Sequence, residues 1–318
     1  MGFDSKREWS ILAALGVLLA ALALAEPRFF SPENLRDLVL ANVPVLMAAI
    51  GMTAVILTGE IDVSIGSQFA ILSVAAGLLA KTGIPIIVLA AILAMFGLIL
   101  GAINGVLVAT AGIPSIVATL ATMIIFREAL RWATAGAWVE NLPAKFQWFG
   151  LTQAAGQIAI AAIAAAMFVG GAWLLANVGA GRALYATGSD KEAARLCGID
   201  TKLVLFWAFA IMGAFTALAA LLSSVRFRDI QSNSGIGLEL KTIAAVVVGG
   251  ASINGGRGTL AGTLVGVALL GVIGPALTFL GINAYWEKAA QGAIILAALL
   301  ADSLASRRRR DAGASVAA

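Results

Sequence analysis

The twenty residues GRALYATGSDKEAARLCGID, at 181–200, are the longest polar interruption in this chain apart from its ends, and apolar blocks flank them on both sides. Within them Ser189-Asp190-Lys191-Glu192 has the form of a capping box, in which the Ser189 hydroxyl takes the backbone N–H of Glu192 and the Glu192 carboxylate reaches back. A short helix over residues 190–197 is predicted. Asp190 and Glu192 fall in its first turn and Arg195 near its last, the arrangement the helix dipole favours, and Gly198 supplies a left-handed stop. Such a helix is roughly 12 Å long at 1.5 Å per residue. A bilayer core is roughly 30 Å thick. The segment therefore reads as a surface helix held between membrane spans.

Composition supports that reading of the surroundings. The chain has 318 residues, 61% of them hydrophobic and only 12% charged, with a mean hydropathy of +0.98. Soluble domains carry about 25% charged residues, so this is an all-α polytopic membrane protein. Its 35 Gly against 7 Pro suit helices packed closely through small residues. With no His and one Cys there is no intramolecular disulfide, no His-liganded metal and no Ser-His or Cys-His nucleophile pair. No metal site and no catalytic residue is predicted, and a net charge of +4 gives no reason to expect nucleic acid.

In chain order, a polar lead with Lys6 and Arg7 precedes an apolar run over residues 9–25. Ala23-Leu24-Ala25 resembles a signal-peptidase site, but the run is longer than a usual signal core, so retention is expected. Further spans are predicted over 42–57, 65–80, 84–109, 115–132, 154–178, 203–225, 260–279 and 285–301. The apolar piece at 242–250 is too short to cross alone and reads as a discontinuous element before the break Asn254-Gly255-Gly256-Arg257-Gly258. The total is about ten transmembrane helices in a single transmembrane domain over 1–306, followed by a basic tail over 307–318. Arg307 to Arg310 directly follow the last span and stay cytoplasmic under the positive-inside rule. Ten spans then place both termini, and residues 181–200, on the cytoplasmic side.

Four pieces of sequence resemble one family. They are GEIDVSIGS (59–67), INGVLVATAGIPSIVATLAT (103–122), ALYATGSDKEAARLCGI (183–199) and GLELKTIAAVVVGGASINGGRGTLAGTLVG (237–266). In this order and spacing they are similar to the permease subunit of bacterial ATP-binding-cassette importers for monosaccharides, the ribose-type family. GAWVENLP (136–143) and YATG (185–188) resemble the rhamnose and autoinducer-2 importer permeases within it. Glu60 stands where ribose-type permeases more often have a second Gly, and those permeases more often have an Asn near the position of Ser189. The resemblance implies a bacterial inner-membrane protein that pairs with a second copy or a sister permease. It implies two ATPase subunits inside, which hold ATP and Mg, and a periplasmic solute-binding protein outside. No cofactor is implied for this chain, and it lacks a Gly-x-x-x-x-Gly-Lys-Ser/Thr phosphate loop of its own.

On that resemblance residues 181–200 become the element that couples the ATPase to the membrane. Its candidate residues are Ser189, Asp190, Glu192, Ala193, Ala194, Arg195, Leu196 and Gly198, with Ala193, Ala194, Leu196 and Cys197 as the apolar face for a groove. The alternative is a solvated loop that caps well. Glu60, Asp62, Ser64 and Gln68 are candidates for lining a solute path, against the plainer reading of a cytoplasmic turn in which Asp62 caps the next span. Asn104 lies beside the stripe Gly97, Gly101, Gly105 and reads first as an interhelical hydrogen-bond partner, second as a path residue. Gly249, Gly250, Gly255 and Gly256 mark a candidate gate near a dimer axis, or close packing alone. Arg127 and Arg131 read as snorkelling to the interface or pairing in a cavity.

The function expected is passage of a sugar or sugar-like solute through the transmembrane subunit of an ATP-driven importer. An ion-coupled secondary transporter is the alternative, disfavoured by the absence of His and the scarcity of acids within spans. A membrane scaffold that transports nothing is the third.

Overall fold

A computed structural model describes residues 6–283, 285–294 and 296. Among the described residues the α-helices are α1 (Lys6–Ala25), α2 (Pro32–Leu57), α3 (Ile65–Lys81), α4 (Ile86–Ala109), α5 (Ser115–Thr134), α6 (Gln153–Asn177), α7 (Gly179–Ser189), α8 (Lys191–Leu196), α9 (Thr201–Ser224), α10 (Leu238–Val248) and α11 (Leu260–Phe279), and residues 286–294 are helical as well. Among the described residues extended pairing is limited to one isolated antiparallel bridge, Val139 with Ile230. Five helices, α2, α4, α6, α9 and α11, are long and apolar enough to cross a membrane, and α1 and α3 carry shorter apolar segments. The predicted span over 285–301 lies partly outside the described residues, and the tetra-arginine tail wholly so.

Local chemistry explains where these helices begin. Ser31, Thr152, Asp200 and Thr259 each accept a backbone N–H of the first turn, so α2, α6, α9 and α11 open on side-chain caps. Pro32 at the first position of α2 adds a fixed φ where no N–H is needed. For that reason α2 starts ten residues before the expected 42–57, and Glu33, Arg36 and Asp37, which precede that expected span, lie in its first turns. The α10 helix is short, eleven residues, as expected of a discontinuous element.

The bundle is organised around α9, which packs most extensively on α4 and also on α2 and α3. Phe209, Met212, Ala217 and Leu222 of α9 are buried. The glycine stripe predicted on α4 supplies the close approach. A Cβ on Gly97 or Gly101 would collide with the carbonyl oxygens of Gly213 or Phe209, and one on Gly105 would lie 2.8 Å from the Phe206 oxygen. Backbones this near give the helix pair its dispersion contacts. The first helix has a place of its own: Leu22 of α1 is buried with Phe29 and with Val272 and Ala276 of α11.

At the far end of α9 the connector after α5 folds over the connector after α9. The amide of Leu142 donates to the Arg228 carbonyl at 3.0 Å, and that of Trp148 to the Val225 carbonyl at 2.7 Å. Trp148 and Phe149 are both left-handed, at φ 52° and 61°, a conformation that costs of order 1–3 kcal/mol per residue and persists only under surrounding constraint. Arg127, expected to snorkel or to pair, donates from Nη1 to the Ser234 carbonyl at 2.9 Å. Arg131 forms an exposed ion pair with Glu128 at 3.1 Å. Arg226 reaches the Leu40 carbonyl at 2.7 Å.

The α4–α9 contact gives a direct test. Gly101→Leu is expected to destabilise the protein by about 1–3 kcal/mol or more through overpacking, seen as a lowered melting temperature in detergent. Gly16→Leu, where a Cβ meets no atom within 4 Å, is expected to leave the melting temperature within the scatter of the wild type.

Candidate functional site

Residues 181–200 form two helices, with the break at Asp190. The chain stays helical through Ser189 and turns extended at Asp190 (φ −160°, ψ 109°). Asp190 Oδ1, not the Ser189 hydroxyl, then accepts the N–H groups of Glu192 and Ala193 at 2.9 and 3.0 Å. The capping box predicted from Ser189 is therefore replaced by an aspartate cap one residue later, and the anionic side chain suits the positive end of the new helix. At the other end Gly198, at φ +82°, donates to Arg195 O at 2.9 Å while Ile199 donates to Ala194 O at 3.0 Å. These two bonds make a Schellman stop. Asp200 follows at once and caps α9, so the connection is stiff on both sides of α8.

The faces of α8 differ from the expected ones. Ala194, assigned to the docking face, is only 4% exposed and packs inward, whereas Leu196 is 84% exposed. Ala193, Glu192, Arg195 and Cys197 are exposed with it. The apolar surface that α8 presents outward consists of Ala193, Leu196 and Cys197.

Three connectors meet where α7 ends. Lys191 Nζ is 2.6 Å from Glu60 Oε1, with the Glu60 side chain mostly buried. The Gly256 amide donates to the Leu57 carbonyl at 2.9 Å. A Cβ on Gly255 would lie 2.7 Å from the Gly59 amide and 2.8 Å from the Gly188 oxygen, and one on Gly256 would strike Ser189. Both are left-handed, at φ +83° and +70°, so the sequence there admits little but glycine. Tyr185 Oη donates to the Gly258 carbonyl at 2.7 Å. Gly255 and Gly256, read as part of a gate, are thus built into the seat of α7 and α8. Gly249 sits elsewhere: it ends α10 and packs against Gly262 of α11, with Gly250 next to it at φ +105°.

Two residues beyond Glu60, Asp62 is wholly buried. Its carboxylate accepts from the Ser64 amide at 2.8 Å, the Ser64 hydroxyl at 2.6 Å, Gln68 Nε2 at 3.3 Å and Asn104 Nδ2 at 3.3 Å. Asn104 Oδ1 accepts from Thr122 Oγ1 at 2.7 Å, which fixes the amide with its NH2 toward Asp62. Asn104 Nδ2 and Gln68 Nε2 also reach Ser64 Oγ, at 2.7 and 2.8 Å. Every partner of Asp62 is a donor, the pattern that satisfies an ionised carboxylate. On α5, Thr119 Oγ1 takes the Val63 amide at 3.1 Å and Ser115 Oγ takes that of Ile61 at 3.2 Å. Asp62, Ser64 and Gln68, expected to line a path, form instead a sealed knot that joins α3, α4 and α5 to the connector bearing Glu60. In place of a simple cap, Asp62 binds Ser64 ahead of α3, whose first turn has no side-chain cap. Ser115, Thr119 and Thr122 were not anticipated; their spacing of four and three residues puts three hydroxyls on one helical face, a signal available in the sequence.

Comparison with known proteins gives the family. A family model described as branched-chain amino acid transport system / permease component matches residues 34–299. The chain belongs to this permease family. It is 34% identical over 299 residues to the autoinducer 2 import system permease protein LsrC of Yersinia pseudotuberculosis serotype O:1b (strain IP 31758), covering 94% of this chain and 85% of the relative. The protein of the same name from Salmonella typhi is 36% identical over 302 residues, covering 94% and 86%. That of Escherichia coli (strain K12 / DH10B) is 35% identical over 299 residues, covering 94% and 87%. No solved structure matches the chain. Family and apolar helices together make this a multi-pass membrane permease, a transport component.

Removing Asn104 strips donors from the buried Asp62 carboxyl group and leaves the Thr122 hydroxyl only its longer bond to the Thr119 carbonyl, at 3.2 Å. Asn104→Ala is expected to lower stability by about 3 kcal/mol, since hydrogen bonds to charged groups contribute about 1.5–3 and unsatisfied partners add to that. Thermal unfolding of the purified protein measures it.

Proposed function

We propose that this permease is the transmembrane subunit of an ATP-binding-cassette importer for a small hydroxyl-rich solute, with rhamnose, autoinducer-2 and other monosaccharides as the candidates. One observation supports it above the others. A six-residue helix, capped at Asp190 and stopped at Gly198, presents Leu196 outward and is tied through Lys191 and Glu60 to the connector that carries Asp62. A short stiff helix with an exposed apolar residue fits a groove on a partner, and its fixed ends transmit displacement better than a flexible loop. In this reading α8 docks on a separate ATPase subunit, where ATP and Mg reside, and a periplasmic binding protein delivers solute to the other face.

The reading includes the finer topology: a single permease domain over 1–306 with about ten spans, α10 broken at membrane depth, both termini and α8 cytoplasmic, in the bacterial inner membrane. A second copy or a sister permease completes the pathway. The names of the relatives, which belong to import systems, support an import direction. The ion-coupled alternative draws on Asp62, a buried carboxylate of the kind proton relays use. Against it, all the donors of Asp62 come from the fixed knot described above.

The test is uptake in proteoliposomes with and without the cognate ATPase, ATP and binding protein. ATP-dependent uptake is expected; uptake driven by an ion gradient through this chain alone would overturn the proposal. Leu196→Asp is expected to cut ATP-driven uptake roughly tenfold, on the cost of burying an unpaired charge in an interface, with melting temperature unchanged. Lys191→Glu should impair uptake, and Lys191→Glu combined with Glu60→Lys should restore much of it. Because the Lys191 end of the pair is half-exposed and exposed ion pairs contribute only about 0–1 kcal/mol, the loss will show in transport more than in unfolding. Cys197, the single cysteine of the chain and exposed, should crosslink to the ATPase.

A further inference from the structure

At the far end of α9 from α8 the protein holds a half-open cavity of about 240 Å³, whose walls include Phe69, Ser73, Ser224, Asp229, Gln231 and Ser234. We propose that this cavity is a solute-binding site of the permease itself, taking an uncharged, hydroxyl-rich molecule of monosaccharide size. The proposal rests on the importer reading and adds to it a place where the chain, and not only a separate binding protein, recognises the solute.

Four observations carry it. The first is unmet hydrogen-bonding capacity: Ser73, only 2% exposed, and Ser234 both have hydroxyl oxygens buried without a hydrogen-bond partner in the protein. A buried hydroxyl left so costs about 1–3 kcal/mol, and a polyol, which donates and accepts at every hydroxyl, supplies what each lacks. The second is the mixture of walls. Phe69 and Phe227 offer aromatic surface beside serine hydroxyls, a carboxylate and an amide, the combination of apolar body and few placed polar groups found in small-molecule sites. The third is charge. Asp229 is the one ionisable residue among the described lining residues, and its carboxylate, which already accepts the Asn141 amide at 2.9 Å, disfavours an anion. The fourth is size: pockets for drug-sized ligands run about 300–1,000 Å³, so this one suits a smaller occupant.

Its position suits a transported solute. Ser73 lies two turns into α3, Ser224 ends α9, and Ser234 immediately precedes the Gly235 turn that leads to α10. A Cβ on Gly66 would come 2.6 Å from the Gly235 oxygen, so α3 and the approach to α10 touch beside the cavity. Two helices, α3 and α9, and the connector that leads to α10 therefore meet around it.

Two measurements on the full chain, purified with its ATPase and without binding protein, test the site. In a Cys197→Ser background, Gln231→Cys places a thiol on the exposed rim. Its alkylation by a small maleimide is expected to slow by roughly threefold or more, saturably, in millimolar rhamnose, ribose or autoinducer-2, and to be unaffected by gluconate; a threefold effect corresponds to about 0.65 kcal/mol. Equilibrium dialysis with the protecting solute in radiolabelled form should show affinity lowered by Ser73→Ala and abolished by Ser73→Phe. Alkylation insensitive to all three neutral solutes overturns the proposal, and so does protection by gluconate equal to theirs. Running ATP-driven uptake in parallel separates the two readings. Uptake without protection removes the site and keeps the importer; protection without ATP-driven uptake keeps the site and removes the importer.

Discussion

A carboxylate sealed inside an apolar bundle has to collect its hydrogen bonds from the protein, because lipid and hydrocarbon side chains offer none. Asp62 meets that requirement by drawing donors from its own connector, from α3 and from α4, while α5 holds the neighbouring backbone. The arrangement fixes more than one side chain. Three helices are set in register around a turn that contains no regular structure, and the same turn carries Glu60 out to Lys191. Remove the anion's partners and the connector loses its reason to stay folded at that depth. The surface helix would then be anchored to nothing.

Close backbone approach is the second constraint, and it acts on both the bundle and the junction. Gly97 and Gly101 bring α4 against α9, while Gly255 and Gly256 let one connector pass between Gly59 and Gly188. In each case a single methyl group would meet backbone, which cannot rotate away as a flexible side chain can. The bundle contact is helix on helix and contributes packing enthalpy along its length. The junction is loop on loop and sets only the relative position of its parts, so its value is geometric.

Periodic features were legible in the sequence; pairings were not. Helices from α3 to α6, together with α9 and α11, fall within a few residues of the runs read from hydropathy, and the Gly97–Gly105 stripe was visible as a packing face before its partner on α9 was known. The α8 helix was placed correctly, yet its cap was assigned one residue early. Ser189 and Asp190 are both good capping residues, and what decides between them is that α7 continues through Ser189, a tertiary outcome invisible in a four-residue pattern. Ala194 was put on the outer face because composition alone does not tell which side of a short helix meets the protein. The Lys191–Glu60 pair spans 131 residues, and no local rule connects them. Thr119 and Thr122 escaped notice because isolated hydroxyls in a span usually bond their own backbone, as Thr119 Oγ1 does to Ser115 O.

Two routes lead from the junction at α8 to the cavity at the other end. One passes from Glu60 through Asp62 into α3, which carries Phe69 and Ser73. The other passes from Gly255 and Gly256 through Gly250 and α10 to Ser234. They are held in different ways. Shifting α3 along its axis would pull Gln68 and Ser64 from a buried carboxylate that also depends on Asn104 of α4. The α10 helix is eleven residues long with left-handed glycines on both sides, Gly235 and Gly237 before it and Gly250 after it. Its ion pair, Lys241 with Glu287 at 3.8 Å, is partly exposed, and such pairs contribute little. What holds α10 is its burial, with Ala244 to Val248 in the core and the Ala245 carbonyl so close to Gly266 of α11 that a Cβ there would strike it. Both routes end in the cavity walls, at Phe69 and Ser73 on α3 and at Ser234 ahead of α10, so a displacement at the junction reaches the cavity only through elements packed along their length.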